Sequence, residues 1–237
     1  MANQNAAPAS GGGTKLFYIV LGAIALGGLA SIAYTLGASG STATEPVDLS
    51  GLDDPRELYE LAVAVKTGPD DAPVKVVEFA DYQCGGCRTF ALGVVPALDE
   101  YIERGEVQFV YYDFPLVSIH AHAFLAARAG RCAEEQGRFW DYHKALFRNQ
   151  ATWARKQDAA PDFVDLAAAE GLDVSSFAAC LRSDAHADVV SANRALAEQI
   201  GIRSTPTVIV NNRRLVAPSA RALEDVVQAE LDAAAGG

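Results

Sequence analysis

The sequence predicts an α/β fold, a mixed sheet with helices on both faces. Three observations lead there. Short β-branched runs at residues 74–79, 107–112 and 207–210 are bounded by turn residues, as strands are. Between the second and third runs, residues 118–201 hold helical pieces and no convincing strand. The order is therefore β-α-β, a long helical block, then β-β-α. Half the residues are hydrophobic and 21% are charged, which excludes wholesale disorder. At 237 residues the chain is long enough for one sizeable core. Lys and Arg number 19 against 30 Asp and Glu, which argues against nucleic acid as the main partner, because phosphate binding needs a basic face.

Taken in order, residues 1–15 read as a polar tail ending in Lys15, the only charged side chain before Glu45. Residues 16–38 carry no charge and are rich in Leu, Ile, Ala and Gly. As a helix they would span about 34 Å, enough for a bilayer core of about 30 Å. Tyr18 and Tyr34 stand near the two ends, where amphipathic rings favour the interface. Lys15 places the N-terminus in the cytoplasm and the rest outside. This segment is expected to be one transmembrane signal-anchor. The alternative is a cleaved signal peptide, with Ser41-Thr42-Ala43 as a small-x-small site, although the apolar run exceeds a usual signal core.

Residues 39–72 are expected to be a linker with a short helix at 55–66, closed by the turn cluster Gly68-Pro69-Asp70-Asp71. The globular part starts at residue 73 and runs to 237. A helix at 86–104 is predicted with a kink at Pro96. The helical block divides near 118–135, 137–149, 161–170, 173–182 and 185–200, with Gly130, Gly137, Gly171 and Gly201 as stops. Asn211-Asn212 turns the 207–210 strand into a hairpin with 214–216. A terminal amphipathic helix covers 218–235 and is opened by Ser219.

The sharpest chemical signal is Cys84-Gly85-Gly86-Cys87, directly after a strand and at the start of a helix. Free N–H groups and the helix dipole stabilise an anion there, so the Cys84 thiolate is favoured. Cys87 lies one turn in, close enough to attack a mixed disulfide. Cys84 is thus the candidate nucleophile and Cys87 the resolving thiol. The competing readings are a structural short-loop disulfide and half a zinc site. Zinc needs two more ligands, and Cys132 and Cys180 are isolated singles, so no metal is expected. Glu78 stands six residues before Cys84 on the feeding strand. Buried under the pair, its raised pKa would suit it to exchange a proton with Cys87. A solvated strand-end acid is the alternative. Pro206, in Ser204-Thr205-Pro206-Thr207, sits where a strand begins, which a proline permits.

Val76-Val77-Glu78-Phe79-Ala80-Asp81-Tyr82-Gln83 leading into the cysteine motif resembles the DsbA-like branch of the thioredoxin superfamily. So do Asp113-Phe114-Pro115-Leu116 and Phe139-Trp140-Asp141-Tyr142-His143, and Gly201-Ile202-Arg203-Ser204-Thr205-Pro206-Thr207 is similar to the family's cis-Pro loop. The resemblance implies a thioredoxin fold with a helical domain inserted at about 116–200. It implies that Pro206 is cis beside Cys84 and that the Thr205 backbone pairs with an extended substrate peptide. It also implies a quinone-linked membrane partner that reoxidises the enzyme, and no cofactor. Relatives often carry His or Pro between the cysteines. With Gly85-Gly86 one source of thiolate stabilisation is missing, so a milder oxidant than the strongest members is expected.

In an oxidising compartment the singles Cys132 and Cys180 are expected to be bridged, and many relatives carry a second disulfide in the helical domain. Two free buried thiols are the alternative. Positions 120 and 122 do not share a helix face, so His120 and His122, with His143 and His186, are assigned to capping or packing. The function expected is a membrane-anchored protein-disulfide oxidoreductase that forms disulfides in exported polypeptides. The competitors are a reductase or isomerase of the same fold, for example supplying thiols for haem attachment, and a non-catalytic peptide binder.

Overall fold

A computed structural model of the chain describes residues 44–47, 49, 55–215 and 218–236. The tail, the expected anchor at 16–38, most of the linker and residue 216 of the hairpin lie outside the described residues. Among the described residues no helix is long and apolar enough to cross a membrane.

The first helix, α1 (Pro55–Leu61), is shorter than the 55–66 expected, because Val65–Thr67 forms a strand, β1. Its residues pair antiparallel with residues 109–111, Val65 opposite Tyr111. A short β-branched stretch within reach of a sheet edge gains ladder hydrogen bonds that a final helical turn cannot match. β2 (Val74–Ala80) and β3 (Val107–Asp113) then run parallel, with Glu78 opposite Tyr111 and Ala80 opposite Asp113.

The connection between β2 and β3 is broken into three pieces instead of one kinked helix: α2 (Gly85–Gly93), a 3₁₀ turn (Val95–Leu98) and α3 (Asp99–Glu103). Pro96 lies in the first turn of the 3₁₀ segment, where its missing N–H has no α-helical partner to lose. After β3 come α4 (Ala123–Glu134), α5 (Phe139–Arg148), α6 (Gln150–Trp153), α7 (Ala160–Ala169), α8 (Val174–Arg182) and α9 (Ala187–Gln199). The chain returns to the sheet with β4 (Thr207–Val210) and β5 (Arg213–Leu215) and closes with α10 (Ala220–Ala235), capped by the Ser219 hydroxyl.

The strand order is β1-β3-β2-β4-β5, with only the β2–β3 pair parallel. Alternation sorts the side chains onto two faces. On one face Val74, Val76, Phe109 and Val208 pack against Phe90 of α2 and Leu223 and Val227 of α10. Further along the same face Ala80, Tyr111 and Cys87 meet the helical block through Phe124, Phe139 and Phe147. The opposite face, with Phe79 and Phe114, is covered by Ala197 of α9 and Ile202.

The block has its own ties. Arg131 pairs at 2.8 Å with Asp113 at the end of β3, both buried. Cys132 of α4 and Cys180 of α8 are joined by a disulfide. This cross-link closes a loop of 48 residues, and in the chain-entropy account such a loop is stabilised by about 4 kcal/mol. Replacing both cysteines by alanine is expected to lower the thermal midpoint by roughly 8–16 °C while leaving Cys84 and Cys87 reactive. Calorimetry of the two proteins, with a thiol count, checks this.

Candidate active site

β2 is a central strand, with Glu78 facing Tyr111 on one side and Val208 on the other. Three residues further the chain turns over. The Cys84 N–H donates to the Asp81 carbonyl at 3.1 Å, and Cys84, with extended backbone, is the N-cap of α2. No side chain caps that helix, so its first N–H groups are available to the Cys84 sulfur.

The two sulfurs meet opposite surroundings. Cys84 is partly exposed and its thiol is pulled down to about 5. The main cause is the Cys87 S–H, which donates to it. Thr205 and the N–H groups of Cys87 and Gly86 add to this, and partial burial opposes them. The Thr205 hydroxyl is buried without a hydrogen-bond partner. Cys87 is fully buried and is raised well above an ordinary thiol, first by burial and then by the bond it donates to Cys84 and by the charges of Glu78 and Cys84. Its sulfur accepts the Asp81 N–H at 3.4 Å. Glu78 is fully buried on the same side of the sheet, and neither of its carboxyl oxygens has a hydrogen-bond partner. Burial, with the charge of Cys84 behind it, pushes its pKa well above the carboxylate range, which favours the protonated form.

The Thr205–Pro206 bond is cis, and the Thr205 carbonyl oxygen lies 3.5 Å from Cys84 Sγ. The dipeptide between the cysteines is asymmetric. A Cβ on Gly86 would stand 3.1 Å from Pro206 Cδ and 3.6 Å from Cys84 Sγ, whereas one on Gly85 would meet nothing within 4 Å.

A family model described as Thioredoxin matches residues 63–229 of this chain. The chain belongs to the thioredoxin family. Among its relatives, probable disulfide bond formation protein D of Bacillus cereus is 30% identical over 187 residues, covering 76% of this chain and 84% of the relative. Disulfide bond formation protein D of Bacillus subtilis is 31% identical over 160 residues, 62% of this chain and 67% of the relative. The crystal structure of oxidised BdbD from Bacillus subtilis superposes with a TM-score of 0.63 at 28% identity, covering 70% of this chain and 92% of that one. These likenesses place it in the DsbA-like branch of the thioredoxin family, and with that membership goes the class of thiol–disulfide oxidoreductase.

Glu78, Cys84, Cys87, Thr205 and Pro206 are thus gathered at one end of this thioredoxin-family sheet, while Cys132 and Cys180 stand apart in the helical block. The histidines do not behave alike. His143 is buried among Tyr82, Tyr111, Phe139 and Phe147, accepts the Tyr82 hydroxyl at 2.9 Å and is driven to about 3, mainly by burial. His122 is the N-cap residue of α4, and His186 the N-cap residue of α9 with its ring 2.7 Å from Glu135. The helix expected at 118–135 begins only at Ala123, so His120 lies in the loop before α4, where it bonds Asp81.

Sequence reasoning also missed a polar clamp. Gln150 Nε2, at the start of α6, donates to the carbonyls of Tyr82 (2.7 Å) and Cys84 (2.9 Å). Gln83 Nε2 donates to the Ala154 carbonyl and its Oε1 accepts the His122 N–H, and Arg88 Nε donates to the Phe147 carbonyl. The reactive loop is therefore pinned to the helical block at several points.

The thiolate absorbance of the reduced protein is expected to titrate with a midpoint near pH 5 and to vanish in Cys84→Ser. In Cys87→Ala the donated S–H is gone, so the midpoint should move upward. A pH titration near 240 nm reads both.

Proposed function

We propose that this thiol–disulfide oxidoreductase forms disulfide bonds in exported polypeptides from the outer side of a membrane, held there by residues 16–38. The observation that carries the reading is the contrast between the sulfurs: a Cys84 thiol near 5 beside a Cys87 thiol held up by burial. A substrate thiolate attacks Cys84 of the Cys84–Cys87 disulfide. The Cys84–substrate bond forms, the Cys84–Cys87 bond breaks, and Cys87 leaves with the electron pair. The proton Cys87 then needs is supplied by Glu78, whose burial on the same side of the sheet favours its protonated form. A second substrate thiolate attacks the substrate sulfur of the mixed disulfide, and Cys84 departs as a thiolate that its surroundings already stabilise. Two electrons have passed to the enzyme.

The low Cys84 pKa favours the reduced enzyme, which is what makes an oxidised form a good donor. The extended substrate segment pairs with the Thr205 backbone beside Pro206. A quinone-linked membrane protein takes the two electrons back, and the anchor raises the local concentration of the two partners. The expected anchor at residues 16–38, with Lys15 on its inner flank, supports the membrane location, and the relatives named for disulfide bond formation support the direction of the chemistry.

The test is a trap. In cells making Cys87→Ala, mixed disulfides with exported proteins should accumulate through Cys84 and be released by a dithiol. Accumulation through Cys132 or Cys180 would overturn the assignment of Cys84 as nucleophile, and full function of Cys84→Ser would overturn the reading in favour of a peptide binder. The Cys84–Cys87 reduction potential should lie above about −200 mV and below the −120 mV of the strongest oxidants, whereas a value near −270 mV would mark a reductant.

A further inference from the structure

The Gly85-Gly86 dipeptide carries no side chain that could hold a thiolate, yet a buried carboxylate lies three residues before Cys84. Asp81 is 1% exposed and is bonded at every reach. Its Oδ1 accepts the Gln83 N–H at 2.7 Å, and its Oδ2 accepts the Leu116 N–H and His120 Nδ1, both at 2.8 Å. Its backbone meets both cysteines, the N–H on Cys87 Sγ and the carbonyl on the Cys84 N–H. A negative charge so close to Cys84 works against a second one on the sulfur, unless a cation offsets it.

We infer that His120 is that cation: a positioning residue, reaching in from the loop between β3 and α4, whose protonation adds to the hydrogen bonds that favour the Cys84 thiolate. The ring is about one-fifth exposed and hydrogen-bonded to the Asp81 carboxylate. The bond to Asp81 raises the imidazole above its usual value, against some loss from burial, and the charges of Asp81 and Cys84 raise it further. Other titratable groups nearby are engaged elsewhere. His122 Nε2 is on the Lys156 carbonyl, the Lys156 amine is on Asp162, and burial of Glu78 disfavours its charged form. The imidazolium therefore does from a distant loop what a histidine between the cysteines would do.

The sign follows from linkage. His120 has the higher pKa in the reduced enzyme, where it faces a thiolate, and the lower one in the oxidised enzyme, where Cys84 is uncharged. Between those two values, reduction takes up an extra proton on His120, beyond the one that Cys87 takes. The reduction potential therefore falls more steeply with pH in a window above about 6.5 than on either side of it. As pH rises through that window the imidazolium is lost and the enzyme becomes a weaker oxidant.

The inference rests on Cys84 being the ionised sulfur, and its test is separate from the trap. Histidine ring resonances of the wild-type protein are titrated by NMR in both redox states. His120 should show a higher midpoint in the reduced than in the oxidised form. His120→Asn, which keeps a donor for Asp81 without the charge, should raise the Cys84 midpoint, reducing its thiolate preference at least threefold, and should remove the steep window from the potential–pH curve. Equal His120 midpoints in the two states, or an unchanged curve in His120→Asn, would overturn the role. If the proposed enzymatic role were wrong instead, the trap would fail while the NMR difference persisted.

Discussion

The parallel pairing of β2 with β3 is the constraint from which the site hangs. Because Ala80 stands opposite Asp113, both strands end at one level. Their outgoing loops, carrying Asp81 to Cys84 and Phe114 to His120, leave the sheet side by side. The crevice outside the carboxyl ends of parallel strands is where α/β sheets place their chemistry. Here the same edge also receives Thr205 and Pro206, because antiparallel β4 enters the sheet opposite Phe79. Glu78 sits on a strand paired on both sides, and the helices packed on that face of the sheet leave it fully buried.

The helical block completes the site as well as covering it. Gln150 satisfies carbonyls of the turn before α2, and leaving a buried carbonyl without a partner costs on the order of 1–3 kcal/mol. The Gln83 and Arg88 contacts add further points of attachment. A loop fixed in this way holds Cys84 at the N-cap of α2.

Much of this was legible in the sequence, and the reasons differ by residue. β2, β3 and β4 are dense β-branched runs whose signal is local, and the cysteine motif has a position and spacing with few other meanings. Thr205-Pro206 was visible for the same reason. β1 was not, because three residues become a strand only through their pairing with β3. The 86–104 helix was read as kinked, although Gly93 and Pro96 end one helix and begin another. Gln150 lies 66 and 68 positions from the carbonyls it holds, and His120 lies 39 from Asp81. Periodicity carries no information about polar contacts at that range. Likewise, His120 and His122 were weighed as a pair on one helix, when one precedes the helix and the other caps it.

The bond between Cys132 and Cys180 has a consequence for how the protein is made. Its closure ties α4 to α8 across 48 residues of the helical block. Until those two sulfurs are oxidised the block lacks the stabilisation of the cross-link, so the mature fold depends on an oxidant as well as on the sequence.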